Sequence, residues 1–471
     1  MSTIVWFEND LRLTDNPALH RAAVDGNVIP VFIWAPEEHG AWAPGGAHRW
    51  WLHHSLYSLA ADLESAGSRL VVRKGPSEDV LLSLAQETGA SCITWNDRYE
   101  PALRDRDGVI EKRLAAEGIN TVRYQSVTLH DPDQVRTGKD GPYRVFTPFW
   151  KKFLSVVDVP SGLPRPTLRE RSPSKWPDSV SIDELSLLPR PDWAQGLRDT
   201  WLPGETGALD VLQSFADESI TDYDRRRNLP SHDGTSMLSP HLRHGEISPR
   251  QVWNHIMANV PDSDGKESFL REIGWREFSY HLLNHYPSTP QEPLNERFSN
   301  FPWIDDDRVL KLWQRGMTGY PIVDAGMRQL WHIGWMHNRV RMVVASFLTK
   351  DLLIHWQEGA RWFLDTLVDG DLANNTMGWQ WAAGSGADAQ PFFRIFNPVS
   401  QGKRFDPEGA YVRKWIPELD RLPDKYIHCP WEAPADVLTD ASVELGSDYP
   451  LPLVDHAEAR RQALTAFQTI S

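Results

Sequence analysis

Ile4-Val5-Trp6-Phe7 is the first of five short apolar or β-rich runs in the amino-terminal part of the sequence. The other runs lie at residues 28–34, 69–74, 92–95 and 121–124, and helical stretches alternate with them at residues 16–24, 47–66, 76–88 and 104–117. Such alternation predicts a mostly parallel sheet with helices on both faces. No G-x-G-x-x-G motif follows the first run, which argues against a dinucleotide-binding dehydrogenase. We therefore expect a doubly wound α/β domain over residues 1–130.

The chain changes character after residue 130. Prolines recur through residues 131–205, which predicts a long interdomain connector without regular structure. From residue 206 to residue 471, apolar residues recur at helical spacing, which predicts an all-α domain. Its predicted helices lie at residues 207–218, 249–259, 266–285, 306–315, 320–333, 338–355, 357–368 and 457–468.

Composition excludes several classes of protein. The 471 residues include two cysteines, Cys92 and Cys429, which are too few for a four-cysteine zinc or iron–sulfur site and are typical of a reducing compartment. There is no apolar run of membrane-spanning length, and no basic stretch followed by an apolar one opens the sequence. We therefore expect a cytoplasmic protein without a membrane span, a cleaved signal or a metal site.

The net charge of −15 argues against a nucleic-acid partner unless basic residues are concentrated locally. The arginines that could form such a patch are Arg225, Arg226, Arg227, Arg339, Arg341 and Arg394. A solvated run of charge is the ordinary alternative. Interleaved aromatic residues, here Trp275 and Trp381, favour a stacking platform for bases.

Thr235-Ser236-Met237-Leu238-Ser239-Pro240 combines three hydroxyls with a helix-start signal. Pro240 suits the first helical position and Ser239 the N-cap. Hydroxyls together with the free N–H groups of a helix start can bind an anion. A well-capped helix without a ligand is the alternative.

Two further segments place polar side chains on one helix face. In Arg271-Glu272-Ile273-Gly274-Trp275-Arg276-Glu277-Phe278, the face carries Glu272, Trp275 and Arg276, which a surface ion pair beside a core tryptophan would also explain. In Trp335-Met336-His337-Asn338-Arg339-Val340-Arg341-Met342, the face carries Asn338, Arg341 and Met342. An amide beside a thioether suits a pocket for an amide-rich ligand such as a base. A helix capped by Asn338 is the alternative.

Asp369-Gly370-Asp371-Leu372-Ala373-Asn374-Asn375 holds two carboxylates and two amides, and Gly378-Trp379-Gln380-Trp381 follows. The spacing lacks the alternating ligands and final glutamate of a calcium loop, so a metal is disfavoured. Asp371 accepting a ring N–H, with Asn375 nearby, suits an isoalloxazine better.

Taken together, these motifs resemble those of the photolyase/cryptochrome family across nearly the whole chain, with the pattern of its bacterial class I and class III cyclobutane pyrimidine dimer photolyases. The matching segments are Trp6–Asn16 (W-F-x-x-D-L-R-L-x-D-N), Thr235–Ser239, Trp275-Arg276-Glu277-Phe278, Thr318-Gly319-Tyr320-Pro321, Trp335–Met342, Asp369-Gly370-Asp371 and Arg394-Ile395-Phe396-Asn397-Pro398. The resemblance implies a deoxyribodipyrimidine photo-lyase that splits dimers in UV-damaged DNA by blue-light-driven electron transfer from reduced FAD.

The resemblance also assigns residues to roles. Expected FAD contacts are Tyr223, Thr235, Ser236, Met237, Leu238, Ser239, Glu272, Arg276, Asn338, Arg341, Asp369, Asp371 and Asn375. The lesion pocket would be lined by Glu272, Asn338 and Met342 and flanked by Trp275 and Trp381, with DNA also held by Arg227, Arg339 and Arg394. Electrons for photoreduction would pass along Trp379, Trp356 and Trp303.

An antenna chromophore is expected in the α/β domain. Glu8 stands where the family usually has arginine, and Ala102 and Leu103 replace an amide and a carboxylate of the enterobacterial folate site. Trp50-Trp51-Leu52-His53-His54-Ser55-Leu56 looks more like class III relatives, which bind folate differently. We expect 5,10-methenyltetrahydrofolate, with a deazaflavin as the alternative.

Three other functions compete with dimer repair. A cryptochrome photoreceptor shares the fold; many carry a long tail, and plant ones have Asp at the position of Asn375. A (6-4) photolyase would have histidines at the positions of Asn338 and Met342, and a flavin oxidoreductase would need a nicotinamide site. We expect a monomer without an obligate protein partner.

Overall fold

The five apolar runs of the amino-terminal part form one parallel sheet. The computed structural model describes residues 2–389 and 393–470, and within them the strands are β1 (Ser2–Phe7), β2 (Asn27–Trp34), β3 (Val71–Lys74), β4 (Cys92–Asn96) and β5 (Asn120–Tyr124). Their order is β3-β2-β1-β4-β5, and all neighbours are parallel. The predicted doubly wound α/β domain is confirmed. The direction of winding reverses between β1 and β4, where such folds open a crevice at the carboxyl ends of the strands.

Twenty α-helices lie within the described residues. In chain order they are α1 (Pro17–Asp25), α2 (Gly46–Ser65), α3 (Ser77–Thr88), α4 (Pro101–Ala116), α5 (Phe146–Val156), α6 (Gln195–Thr200), α7 (Glu205–Ser214), α8 (Tyr223–Arg226), α9 (Ser239–His244), α10 (Pro249–Asn259), α11 (Asp264–His285), α12 (Asp307–Gln314), α13 (Pro321–Ile333), α14 (Asn338–Ser346), α15 (Trp356–Thr366), α16 (Leu372–Ala383), α17 (Pro398–Phe405), α18 (Ala410–Trp415), α19 (Ala435–Ala441) and α20 (His456–Gln468). None of the described helices combines the length and apolarity that a membrane span requires.

Alternating side chains of β1 explain why the sheet is covered on both faces. Val5 and Phe7 belong to one apolar cluster, which includes residues of α1 and α2, and Ile4 and Trp6 belong to another, which includes residues of α3 and α4. The pleat sends successive side chains to opposite faces. A strand that is apolar at every position therefore needs helices on both sides.

The chain divides into two units. The first unit consists of Met1–Ile220, Ser236–Pro287 and Val368–Ala373, and the second consists of Thr221–Thr235, Ser288–Leu367 and Asn374–Ser471.

The connector contains regular structure, so that part of the prediction is wrong. Helix α5 lies inside residues 131–205 and buries Phe146, Phe149, Trp150 and Phe153 at helical spacing. Pro148 lies in its first turn, where a helix needs no N–H donor. Proline content alone therefore overstated the irregularity of this segment.

Two helices of the second unit also differ from the prediction. One helix was expected over residues 338–355. In the structure the α-helix α14 stops at Ser346, and a π-helical turn, Phe347–Asp351, follows it. Helix α16 was not predicted, because the dense carboxylates and amides of residues 369–375 resemble a loop. The two aspartates in fact precede its first turn, where negative charge is favourable.

Candidate functional site

In the first unit, Ser239 is the first residue of α9, not its N-cap. The N-cap position belongs to Leu238. The Ser239 hydroxyl instead donates to Asp369 Oδ2 at 2.7 Å. Met237, just before the helix, has a positive φ of 53°.

Helix α9 holds the segment that carries both aspartates. Arg243 Nε donates to the carbonyl of Gly370 at 2.8 Å, and His244 Nε2 lies 3.2 Å from the carbonyl of Val368. Burial, followed by the charge of Arg243, lowers the pKa of His244 well below its ordinary value, so the imidazole is neutral and donates through Nε2. Three contacts from one short helix thus fix the backbone around Asp369.

Helix α11 carries Glu272, Trp275 and Arg276 on one face, as predicted. Trp275 stacks on Phe146 of α5 with ring centroids 3.6 Å apart and planes 10° apart. Arg276 Nη1 donates to the carbonyl of Val127 at 2.7 Å. Arg276 is one of the expected FAD contacts. In this structure its guanidinium contacts the carbonyl of Val127 and the ring of Tyr280.

The same helix contacts the second aspartate. The Tyr280 hydroxyl donates to Asp371 Oδ2 at 2.5 Å, and the guanidinium of Arg276 lies 4.7 Å from the centroid of the Tyr280 ring. Asp371 and Tyr280 are both buried.

A small cleft lies at the carboxyl ends of β1 and β4 in the first unit. Its walls include Asn9, Asn96, Arg98, Arg243 and Tyr280. Within the described residues, Asn96 Oδ1 and Arg98 Nε are buried without a hydrogen-bond partner. Its position is the reversal of strand order, where α/β folds commonly bind ligands.

Glu8 belongs to a buried ion network. Its carboxylate pairs with Arg98 and with Arg106 Nη1, the latter at 2.8 Å, and both guanidiniums lie over the ring of Trp6. Burial alone would raise the pKa of Glu8, but Arg106 and Arg98 outweigh it and hold that pKa below its ordinary value. Leu103 is fully buried, so it cannot contact a ligand at the surface of α4.

In the second unit, Asn375 and Trp379 lie one turn apart on α16. Asn375 Nδ2 donates to the carbonyl of Ala360 on α15 at 3.0 Å. The buried indole of Trp379 packs on Phe363 with centroids 5.0 Å apart. It also packs on Gly359, where a Cβ would lie 2.0 Å from the indole. The indole of Trp379 therefore fits at this position only because Gly359 has no side chain.

The remaining two predicted relay tryptophans lie on either side of a histidine. The ring of His355 is 5.1 Å from that of half-buried Trp303 and 5.7 Å from that of buried Trp356, between centroids. Burial, followed by the charge of Arg361, lowers the pKa of His355 to about 4. The imidazole between the two indoles is therefore neutral at pH 7.

Helix α14 places Asn338 and Met342 one turn apart, as predicted, but Asn338 is not its cap. His337 occupies the N-cap and its Nδ1 accepts from the N–H of Arg339 at 3.2 Å. Asn338 is therefore exposed and its amide is not used to close the helix end. Arg341 Nε donates to the carbonyl of Met336 at 2.7 Å.

Three arginines of the second unit lie close together despite the acidic total charge. Arg339 Nη2 donates to Asn228 Oδ1 at 2.6 Å. Burial, followed by the charges of Arg227 and Arg404, lowers the pKa of Arg339. We call Arg227, Arg339 and Arg404 the arginine cluster. Arg394 is exposed, and its guanidinium lies 6.0 Å from the centroid of the Trp381 ring.

Comparison with known proteins identifies the family. A family model described as "DNA photolyase" matches residues 3–168, and one described as "FAD binding domain of DNA photolyase" matches residues 269–469. A deoxyribodipyrimidine photo-lyase of Agrobacterium fabrum is 50% identical over 471 residues, covering 99% of this chain and 98% of that protein. The chain belongs to the photolyase/cryptochrome family.

Other members of the photolyase/cryptochrome family show the same relationship. Cryptochrome-2 of Arabidopsis thaliana is 41% identical over 475 residues, covering 97% of this chain and 77% of that protein. The crystal structure of a class III photolyase from Agrobacterium tumefaciens matches with a TM-score of 0.96 and 49% identity, covering 100% of this chain and 97% of that one. A Synechocystis cryptochrome matches with a TM-score of 0.92 and 32% identity, covering 99% of each chain.

Sequence reasoning missed three residues at this family member's candidate site. Tyr280 and His355 carry no motif signal, because their roles follow from contacts with residues far along the chain. Arg404 lies on α17, a few residues after the Arg394–Pro398 motif. Its closeness to that motif in the sequence was the one signal that could have identified it. Within residues 2–389 and 393–470, no group of three or more His, Cys, Asp or Glu side chains is placed to hold a metal ion.

Proposed function

We propose that this protein is a deoxyribodipyrimidine photo-lyase that repairs cyclobutane pyrimidine dimers in UV-damaged DNA. The observation that carries the proposal is the pair of Asn338 and Met342 on one face of α14, on the same helix as Arg339 of the arginine cluster. Full-length similarity to a photo-lyase of Agrobacterium fabrum supports it.

The residues present fit FAD by their chemistry. Hydroxyls at Thr235, Ser236 and Ser239 suit phosphate oxygens, and the carboxylate of Asp371 suits the N–H edge of a flavin ring. Arg341, Asp369 and Asn375 would also help to hold the flavin. When bound, reduced and light-excited FAD supplies one electron to the dimer and takes it back after the bonds break.

The chain's own residues would hold the lesion and stabilise its charge. Trp275 and Trp381 would each stack on a dimer turned out of the duplex, and extrusion costs least where pairing is already lost. Trp275 is stacked on Phe146 through one ring face. Glu272, protonated or hydrogen-bonded to a thymine carbonyl, would stabilise the dimer radical anion.

Phosphate contacts would come from arginines. Arg227 and Arg339 of the arginine cluster, together with exposed Arg394, would bind the DNA backbone. Charge that is concentrated locally acts on DNA even when the whole chain is acidic.

Electrons for flavin reduction would enter along Trp303, Trp356 and Trp379. Half-buried Trp303 provides the end of this path that is nearest to solvent, whereas Trp356 and Trp379 are buried. Neutral His355 lies between the first two rings and adds no positive charge that would oppose passage of an oxidised indole.

The choice of lesion is the sharpest test. Neither Asn338 nor Met342 can act as an acid at neutral pH, whereas proton transfer by a histidine would serve (6-4) repair. Reduced enzyme is offered both lesions under the same lamp, and we expect repair of cyclobutane dimers only. Asn338→Ala should weaken dimer repair without releasing flavin. Efficient (6-4) repair would overturn the assignment.

A cryptochrome-type photoreceptor is the second candidate. The similarity to Cryptochrome-2 of Arabidopsis thaliana and to the Synechocystis cryptochrome favours it. Inactivity on both lesions, together with normal photoreduction, would support the photoreceptor.

For the antenna we propose 5,10-methenyltetrahydrofolate, with a deazaflavin as the alternative. Exposed Ala102 and buried Leu103 provide no polar contact for a folate bound in the enterobacterial manner, which leaves the class III manner. A relative from Sulfolobus tokodaii was solved with two FAD molecules, with a TM-score of 0.84, 30% identity and coverage of 100% of both chains. Mass analysis of the chromophores released by the purified protein decides between these. We also propose that the protein acts as a cytoplasmic monomer, which sedimentation of the purified chain tests.

A further inference from the structure

Tyr280 is a buried phenol whose hydroxyl has one defined acceptor. It lies on α11, one turn after Arg276, and donates to Asp371 Oδ2 at 2.5 Å. Only 3% of Tyr280 and 6% of Asp371 is exposed to solvent. Water therefore competes little for this hydrogen bond.

The ring of Tyr280 is fixed from two sides. The guanidinium of Arg276 lies 4.7 Å from its centroid, and the ring of Tyr99 meets it edge to face at 5.5 Å with planes 76° apart. Both contacts restrict rotation of the ring, so the hydroxyl is aimed at Asp371.

Tyr280 is a donor at every working pH. Burial, followed by the charge of Asp371, raises the pKa of Tyr280 well above its ordinary value of 10. The phenol therefore keeps its proton, and Asp371 receives a charge-assisted hydrogen bond, which is shorter and stronger than a neutral one.

We propose that Tyr280 is a positioning residue for the flavin, acting through Asp371. Its O–H fixes the orientation of the carboxylate and withdraws part of its negative charge, which sets how strongly Asp371 opposes reduction of a ring bound beside it. This inference rests on the proposed role of Asp371 toward FAD.

The physical reason is that reduction adds negative charge to the ring. A carboxylate nearby opposes that charge, and a donor on the carboxylate weakens the opposition. Removing the donor should therefore make the flavin harder to reduce, and strengthening it should make the flavin easier to reduce.

The test is the reduction potential of FAD in the intact holoprotein, measured by dye-equilibrated titration. Tyr280→Phe is expected to make the potential more negative and to weaken FAD binding about tenfold, since a hydrogen bond to a charged group is worth about 1.5 kcal/mol. Tyr99→Phe is the matched control: it also removes a buried phenol hydroxyl, which lies 3.3 Å from that of Thr128 and is outside the contact with Asp371. Its potential is expected to equal that of the parent.

A second substitution keeps the shape of the side chain and should shift the reduction potential in the opposite direction. Replacement of Tyr280 by 3-fluorotyrosine makes the phenol a stronger donor, so the potential should become less negative. This arm remains informative if Tyr280→Phe folds poorly. An unchanged potential in both variants, or shifts of the same sign, would overturn the proposal.

Asp371→Asn distinguishes a failure of this inference from a failure of the proposed role of Asp371 in binding FAD. If Tyr280 acts through Asp371, then Tyr280→Phe should not shift the potential further in the Asp371→Asn background. A shift that persists there overturns the inference and leaves the flavin site standing. If Asp371→Asn alone changes neither the potential nor FAD binding, then the proposed role of Asp371 fails, and the inference fails with it.

Discussion

Lys350 carries a charge in a part of the second unit that is poorly suited to it. The residue is 1% exposed, lies in the π-helical turn Phe347–Asp351, and its ammonium is 3.5 Å from the centroid of the Phe393 ring. Burial lowers the pKa of Lys350 from 10.5 to about 7, and the nearby charge of Asp351 opposes only part of that change. We expect Lys350→Met to stabilise the protein, because methionine has a similar length and no charge.

The magnitude follows from that pKa. A lowering from 10.5 to about 7 makes the charged lysine cost about 5 kcal/mol relative to the unfolded chain below pH 7. Attraction of the ammonium to the ring of Phe393 offsets about 2 kcal/mol of this cost. Lys350→Met should therefore raise the free energy of unfolding at pH 6 by about 3 kcal/mol. Between pH 7 and pH 10.5 the unfolded chain binds more protons than the folded one, so the parent becomes more stable as pH rises. The gain at pH 9.5 should therefore be about half of that at pH 6.

Urea unfolding of the full chain at pH 6 and pH 9.5 measures both gains. Lys414→Met is the matched control, because exposed Lys414 also lies over an aromatic ring, that of Trp415 at 5.5 Å. Its effect is expected within about 0.5 kcal/mol at both pH values. Destabilisation by Lys350→Met, or an equal gain at both pH values, would refute the reasoning.

Three further predictions concern the remaining features. Trp379→Phe should block light-driven flavin reduction, followed by absorbance under illumination, and spare repair by chemically reduced enzyme; normal photoreduction would place the path elsewhere. Arg394→Ala should reduce the slope of log affinity for damaged duplex against log salt by about 0.9, and an unchanged slope would show that Arg394 does not contact a phosphate. Glu8→Gln should destabilise the α/β domain by about 2 kcal/mol at pH 7, because buried Arg98 and Arg106 lose the carboxylate that they share and keep only Asp107 and Glu38 as partners. Since the pKa of Glu8 is lowered, this difference in unfolding free energy should vanish as pH falls through the folded-state pKa, and a difference that persists in acid would contradict the ion-pair account.

The fold was largely predictable because its signals are local. β1 and its neighbours are apolar at consecutive positions, and a strand buried on both faces requires exactly such a run of Ile4 to Phe7. Helix α10 was predicted to the residue, since Ser248, Pro249 and Gln251 form a complete start signal. The signals behind the wrong predictions were also local. Prolines predicted irregular structure where α5 lies, and the aspartates gave no helix signal at the start of α16.

The sequence motifs name candidate site residues, but they do not predict the contacts that those residues make within the chain. Ser239 was expected to cap α9, and the structure gives its hydroxyl to Asp369, 130 positions along the chain. Tyr280 and Asp371 are 91 positions apart, so periodicity carries no information about their hydrogen bond. The ion pair of Glu8 with Arg106 and the hydrogen bond of Arg276 to Val127 were not predictable for the same reason, because their partners come from other parts of the first unit.

The arginine cluster on an acidic chain has a consequence for the encounter with DNA. At physiological salt the Debye length is about 8 Å, so distant carboxylates are screened while arginines touching phosphates are not. As salt is diluted, repulsion from the total charge of −15 reaches further and opposes the gain from counterion release. Affinity for damaged DNA should therefore stop rising at low ionic strength and pass through a maximum. A molecule of this kind approaches its substrate productively in one orientation and is turned away in the others.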